Sequence, residues 1–221
     1  MKFSAIYKPT ALFSLRDSDS TNSGAKSLFL PSPYAIKMAF LSQAISLGRV
    51  DFENNPQLFA IIRDLKIFYR IKGNFCVNNC FIKIQKQRDN DPFRPTVSFR
   101  EYVSVSDDIE IIFETDTLES VGFLKTYLHK INYFGKRGCF FQFVKYDEVP
   151  SKANVNVFNP HDLSAGIIQG YDDFDKSLTF EQVNSYSEAR TKRRKQLLVL
   201  PLVNNGSSKS YTSYVCNSDT Y

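Results

Sequence analysis

The groups in this chain best suited to chemistry are cations set beside turns and a helix start. Arg16 and Lys26 flank a polar arm, LRDSDSTNSGAKSLFL, that runs into PSPYAIKMAFLSQA. Ser32 is placed to cap the first free amides of a helix, and Pro33 suits its first turn. A basic arm beside a helix N-terminus can seat a phosphate. The same pattern also serves a plain surface loop before a well-capped helix. Lys37 follows on that helix. Lys136 and Arg137 lie between Gly135 and Gly138, a turn that can bring backbone amides and two cations to one phosphate. Lys83, Lys86, Arg88 and Arg94 surround a proline-bearing polar stretch over 86–96. Arg190, Lys192, Arg193, Arg194 and Lys195 put five positive charges in six residues. That run fits a nucleic-acid patch (RNA or DNA), an acidic protein partner, or a solvated helix end. For each of these cations, ordinary solvated surface charge is the alternative.

Aromatic side chains are the second resource. The 221 residues include 20 Phe and 12 Tyr with no Trp. Most must fill a core, because they carry large apolar areas. Phe29, Tyr34, Phe93 and Phe134 can stack on bases or seal a core or subunit contact. Phe93 is the least core-like, given its polar surroundings. Net charge is +5 and the pI about 8.9, a mild bias toward polyanions or acidic partners.

Catalysis has little material. His129 and His161 are the two histidines. Lys125 and His129 are four apart, with Tyr133 a turn later, so they can share a helix face. A phosphate-loop motif and a nucleophile elbow are missing from the sequence. Cys76 and Cys80 lack a second close pair of Cys or His, so neither a metal nor a cofactor is expected. Asp17 and Asp19, Asp107 and Asp108, and Asp172, Asp173 and Asp175 read as loop or turn acids. The chain begins with no signal peptide and has no run long enough to span a bilayer, so a cytoplasmic protein is expected.

The elements that must position these groups follow from periodicity. Lys2–Tyr7 alternates as a strand, extending toward Leu15 after Pro9. A helix is predicted over 33–47, with Ile36, Phe40, Ala44 and Leu47 on its buried side, and Gly48 as its stop. A short helix near Pro56 leads to a strand over 65–73. Phe75–Gln85 and Phe99–Val105 read as strands around an exposed tip. Ile109–Glu114 is a strand, and Asp116 with Glu119 resembles a capping box for a second helix. That helix has Leu118, Val121, Leu124, Leu128 and Ile131 as its stripe. Cys139–Lys145 is an aromatic strand. The tail from Pro150 reads as loop through Gly170, then short strands near 196–203 and 211–216 around an Asn204-Asn205-Gly206 turn. This order predicts an α+β fold with a ferredoxin-like or RRM-like core over 1–150, a projecting hairpin at 76–98, and a β-containing extension over 151–221.

Three segments carry a family resemblance. They are LFLPSPYAIKMAFLSQAI at 28–45, FREYVSVSDDIEIIFE at 99–114, and YFGKRGCFFQFVKYDEVP at 133–150. In this order they resemble the Cas5 branch of the CRISPR-associated RAMP proteins. The resemblance implies a subunit of a type I (Cascade) surveillance complex. Such a subunit holds the 5′ handle of crRNA, caps a backbone of Cas7-like subunits and touches a Cas8-like large subunit. It implies RNA contacts at Arg16, Lys26, Lys37, Lys136 and Arg137, and thumb or partner contacts at Lys86, Arg88, Phe93 and Arg94. Some members of the family process precursor RNA without metal, using Tyr, Lys and His groups. The adjacent Lys-His pair expected in that subtype is missing here, so no catalytic residue is assigned. The remaining alternatives are such a ribonuclease and a structural subunit without RNA.

Overall fold

The computed structural model describes residues 1–19, 26–86, 93–161, 165–184, 187–189 and 191–217. It is a mixed α/β chain built mostly from antiparallel sheets. The elements begin with β1 (Lys2–Pro9), β2 (Leu15–Arg16) and β3 (Ser27–Leu28), followed by α1 (Pro33–Ser46) and α2 (Pro56–Arg63). Next come β4 (Lys66–Arg70), β5 (Asn74–Lys86), β6 (Arg94–Val105) and β7 (Ile109–Glu114). Then α3 (Leu118–Leu128), β8 (Phe141–Asp147), β9 (Asn156–Val157) and β10 (Ile167–Phe174) follow. The chain closes with α4 (Phe180–Val183), β11 (Arg193–Leu200), β12 (Leu202–Ser207) and β13 (Tyr211–Cys216).

The central sheet has the order β4-β7-β1-β8, with every neighbouring pair antiparallel. Its alternation puts Phe3, Ala5 and Tyr7 on one buried face with Ile109, Ile111 and Phe113. Both long helices cover that face. Phe40 of α1 meets Phe113 edge-on at 5.7 Å, and Tyr7 donates to the Leu128 carbonyl of α3 at 2.7 Å.

Local chemistry explains the helix ends. Ser32 caps α1 by accepting from the Ala35 N–H at 3.2 Å, as its sequence signals. The α1 stripe is Ile36, Phe40, Leu41 and Ala44, while Leu47 is exposed. Gly48 matters for space: a Cβ there would sit 2.3 Å from the Tyr127 hydroxyl. The cap of α3 is Thr117 with Ser120 at 3.1 Å, one residue later than the Asp116–Glu119 reading. That shift places Leu118 in the first turn, where it is exposed, and leaves Val121, Leu124, Leu128 and Ile131 buried.

Between β4 and β7 the chain makes the long β5–β6 hairpin. Its pairing runs from Phe75↔Val105 to Lys86↔Arg94. At about 3.4 Å per residue, strands of this length reach roughly 40 Å. Strand β13 lies beside the root of β5, from Asn74 to Asn78, giving a second sheet of order β12-β13-β5-β6. Beyond Asn79 the hairpin continues without that neighbour.

The tail departs from its loop reading. Strands β10 and β11 pair over eight residues, with β9 added to β11, and β10 packs on α1. Arg193–Lys195 therefore begin a strand and not a helix end. The Asn204–Gly206 stretch is a bulge within β12, and the reversal comes at Ser208–Tyr211. Val155, Tyr171, Phe174, Leu178, Leu200 and Leu202 join the same hydrophobic core as Phe3 and Ile36.

Candidate nucleic-acid interface

The basic arm is held by a compact set of hydrogen bonds. Strands β2 and β3 pair Leu15 with Leu28 and Arg16 with Ser27. Ser27 is the pin: its hydroxyl accepts from the Leu15 N–H at 2.9 Å. Its own N–H donates to Glu101 of β6 at 2.5 Å, and its carbonyl accepts from Gln169 of β10 at 3.1 Å. Arg16 and Lys26 thus emerge together, both exposed, at the open end of this short ladder.

The basic turn leans on the same structure. Gly135 has φ +68°, the left-handed region. A Cβ there would lie 3.2 Å from Leu15 Cδ2, with Ala35 Cβ at 3.9 Å. The glycine therefore lets the turn rest on β2 and on the first turn of α1 at once. The Phe134 N–H donates to the Cys139 carbonyl at 3.3 Å and the Cys139 N–H to the Lys136 carbonyl at 3.1 Å, closing the turn. Lys136 and Arg137 are exposed and make no ion pair among the described residues. The Cys139 thiol donates to the Ser14 carbonyl at 3.5 Å. Burial pushes that thiol's pKa up, while Lys136 and Arg100 pull it down, so both cations lie within electrostatic reach of it. The ladder and the turn set the exposed Arg16, Lys26, Lys136 and Arg137 around Leu15 as a basic rim, with Arg100 of β6 within electrostatic reach of Cys139.

Other residues singled out in the sequence fare differently. Lys37 is a correction: it is buried at 1% exposure. Its ammonium pairs with Asp173 at 2.6 Å, donates to the Arg63 carbonyl at 2.8 Å and lies 5.6 Å from the Phe174 ring centre. Burial lowers its pKa and Asp173 opposes that fall. It is a structural cation between α1 and β10, out of reach of a phosphate.

The basic run is largely engaged within the fold. Arg193 pairs with Asp172 at 3.3 Å and stacks over Tyr34 at 4.2 Å. Arg194 reaches Asp173 at 3.7 Å. Lys195 binds Asp17 at 2.7 Å and Asp19 at 2.5 Å, tying the arm to β11. These pairs engage Asp17, Asp19, Asp172 and Asp173. Lys192 is exposed, and Arg190 lies outside the described residues.

Among the aromatics, Phe29 and Phe134 are core residues at 4% and 0% exposure, and Tyr34 packs edge-on against Phe174. None of these three is an open stacking platform. Phe93 is exposed at 64%, as its polar surroundings predict. Lys83 and Arg94 are exposed on the hairpin. Arg88 and the Lys86 side chain lie outside the described residues. His129 lines a cleft of about 380 Å³ with Thr10, Phe140 and Gln142. Lys125 is instead committed to Glu148 at 3.6 Å and to the Tyr146 ring at 3.9 Å.

No family model matches the chain. A curated CRISPR-associated protein Cas5 from Archaeoglobus fulgidus is 26% identical over 190 residues, covering 80% of this chain and 81% of that protein. The chain is thus similar to a Cas5 protein over most of its length. The family resemblance read from the sequence is thereby borne out. Two solved structures are also similar. One is a CRISPR protein from Archaeoglobus fulgidus, with a TM-score of 0.47 and 12% identity, covering 99% of this chain and 92% of that one. The other is a chain of the Csm3-Csm4 subcomplex of the type III-A CRISPR-Cas interference complex. Its TM-score is 0.39 with 12% identity, covering 98% of this chain and 97% of that one.

Two features of this chain were not singled out from sequence. Arg100 sits within FREYVSV, where nothing local separates it from any strand cation; the fold brings it within electrostatic reach of Cys139. Phe81 and Phe99 pair across the hairpin at 4.4 Å between ring centres, yet remain 72% and 53% exposed. Their cross-strand register was legible in principle from the alternation of the two strands.

Proposed function

We propose that this chain is a non-catalytic subunit of a type I CRISPR RNA-guided complex, holding the 5′ repeat-derived handle of the guide RNA. One arrangement carries the reading: the Gly135 turn rests on β2 and the start of α1, which sets the exposed Arg16, Lys26, Lys136 and Arg137 around one basic rim. An unpaired RNA segment needs cations for its phosphates and polar or aromatic groups for its bases. The rim supplies the first, with the capped start of α1 against the same turn. The β-α-β-β-α-β order and the β4-β7-β1-β8 arrangement support a ferredoxin-like core beneath it.

The long hairpin serves as the thumb. Its exposed Phe81, Phe93, Val97 and Phe99 suit contacts to a Cas7-like neighbour. A Cas8-like large subunit completes the assembly in the cytoplasm. The engagement of Lys125 with Glu148 and the Tyr146 ring supports a holding role over a cutting one.

Binding of a single-stranded repeat RNA across a salt series tests this. Each phosphate contact contributes about 0.7 to the slope of log K against log salt. A Lys136→Ala/Arg137→Ala variant should flatten the slope by about 1.4 and weaken binding to every RNA alike. An unchanged slope removes the turn from the interface. Cleavage of the RNA in chelator, lost on His129→Ala, overturns the non-catalytic reading.

A further inference from the structure

A second cavity adjoins the basic rim and shares Lys26 with it. The arm, the root of the hairpin, β10 and β13 enclose a cleft of about 410 Å³. That size falls within the roughly 300–1,000 Å³ of small-ligand pockets. Lys26, Phe29, Asn79, Glu101, Thr212 and Tyr214 all line it. The Phe29 and Tyr214 rings pack at 5.4 Å and make an aromatic wall. Glu101 is the unusual member. One of its oxygens takes the Ser27 N–H, and its other oxygen has no hydrogen bond among the described residues. Burial raises the pKa of this carboxyl, while the Ser27 N–H and Lys26 favour its charged form.

We propose that this cleft is a base-reading subsite that takes an unpaired guanine of a bound RNA. The inference rests on the RNA-holding reading above and deepens it. A carboxylate only accepts hydrogen bonds. Guanine alone among the four RNA bases offers two adjacent donors, N1–H and the exocyclic amine, on its Watson–Crick edge. Adenine and cytosine set a donor beside an acceptor, and uracil sets one donor between two acceptors. Glu101 therefore attracts guanine and repels part of the edge of each rival. Lys26 stands where it can meet the phosphate of the same nucleotide, so charge and base recognition share one subsite. The Tyr214 ring adds an apolar surface for the base, as unpaired bases use aromatic side chains.

The test measures binding of the full-length protein to two fluorescent RNAs, a uridine nonamer and the same nonamer with one central guanine. The wild type should bind both with salt-dependent affinity and prefer the guanine RNA by roughly ten-fold or more, the discrimination of one good bidentate contact. Glu101→Gln keeps an acceptor for the Ser27 N–H but turns an amide donor toward the base. It should abolish the preference, read as the ratio of the two affinities, because loss of a negative charge beside Lys26 acts on both RNAs alike. Thr212→Phe, on a strand that tolerates aromatic residues, fills the cleft and should do the same. A preference that is absent, or that survives in whichever of these variants folds, overturns the subsite and leaves RNA holding intact. Failure to bind either RNA even at low salt overturns the holding reading, and the subsite with it.

Discussion

Replacing Asp173 by alanine should be one of the most damaging single changes in this chain. Lys37 has 2% side-chain exposure, and Asp173 at 2.6 Å is its only ion-pair partner among the described residues. Without it the ammonium keeps one neutral acceptor, the Arg63 carbonyl at 2.8 Å. Removing one member of a buried pair costs about 3–5 kcal/mol, because the remaining charge stays desolvated. For a protein of this size 1 kcal/mol moves the melting point by about 2–4 °C, so the variant should melt roughly 6–20 °C lower. Lys37→Met removes the charge along with its desolvation and should cost much less. It leaves Asp173 with Arg194 at 3.7 Å and the Phe174 N–H at 2.7 Å.

The pH dependence separates a stranded charge from simple loss of packing. Burial already lowers the Lys37 pKa below its ordinary 10.5, and Asp173 opposes that fall. In Asp173→Ala the opposition is gone, so the folded state sheds its proton at lower pH than the unfolded state. Between the two pKa values the unfolded chain binds more protons, and stability rises with pH. The deficit should therefore narrow as urea denaturation moves from pH 7 toward pH 10. A loss below about 1 kcal/mol, or a deficit that stays constant with pH, would refute the argument.

Other expectations follow from the site and the hairpin. Gly135→Val places a branched side chain at φ +68° and against Leu15, and should cost about 1–2 kcal/mol. It should also weaken RNA binding as much as loss of Lys136, read by parallel melting and titration. Lys195→Ala frees Asp17 and Asp19 of the arm from β11. Exposed pairs of this kind are worth at most about 1 kcal/mol, so the melting point should barely move. Limited trypsin cleavage at Arg16 or Lys26 should nonetheless become faster. Phe81→Ser with Phe99→Ser touches residues already exposed and should leave stability within about 0.5 kcal/mol, since surface changes seldom do more. Co-purification of backbone subunits should fall sharply, and intact recovery would remove the hairpin from that interface.

Much of the fold is legible because its signals are local. The Ser32-Pro33 start of α1 and the alternation of β5 and β6 need only neighbouring residues to be read. What escaped depends on partners far along the chain. Lys37 looks like a surface cation on its helix, because Asp173 arrives 136 residues later. The stretch through Gly170 looks like loop because β10 alternates weakly and is stabilised by β11 and by packing on α1. Asn204-Asn205-Gly206 has turn chemistry, but β13 pairs across it and converts it to a bulge. The cations of the rim carry no distinguishing mark in sequence. The Gly135–Gly138 turn pointed to two of them, whereas Arg100 is found only by what it faces. Five basic residues in the run at 190–195 drew attention by density, yet three of them are spent on Asp17, Asp19, Asp172 and Asp173.

The most direct test is to isolate the tagged protein from its native cells at low salt and sequence any RNA that comes with it. Short RNAs sharing one repeat-derived 5′ segment, recovered with Cas7-like subunits and lost on combined Arg16, Lys136 and Arg137 replacement, are the predicted result. A particle that carries its protein partners but no RNA would contradict the account and leave the basic rim as a protein-facing surface.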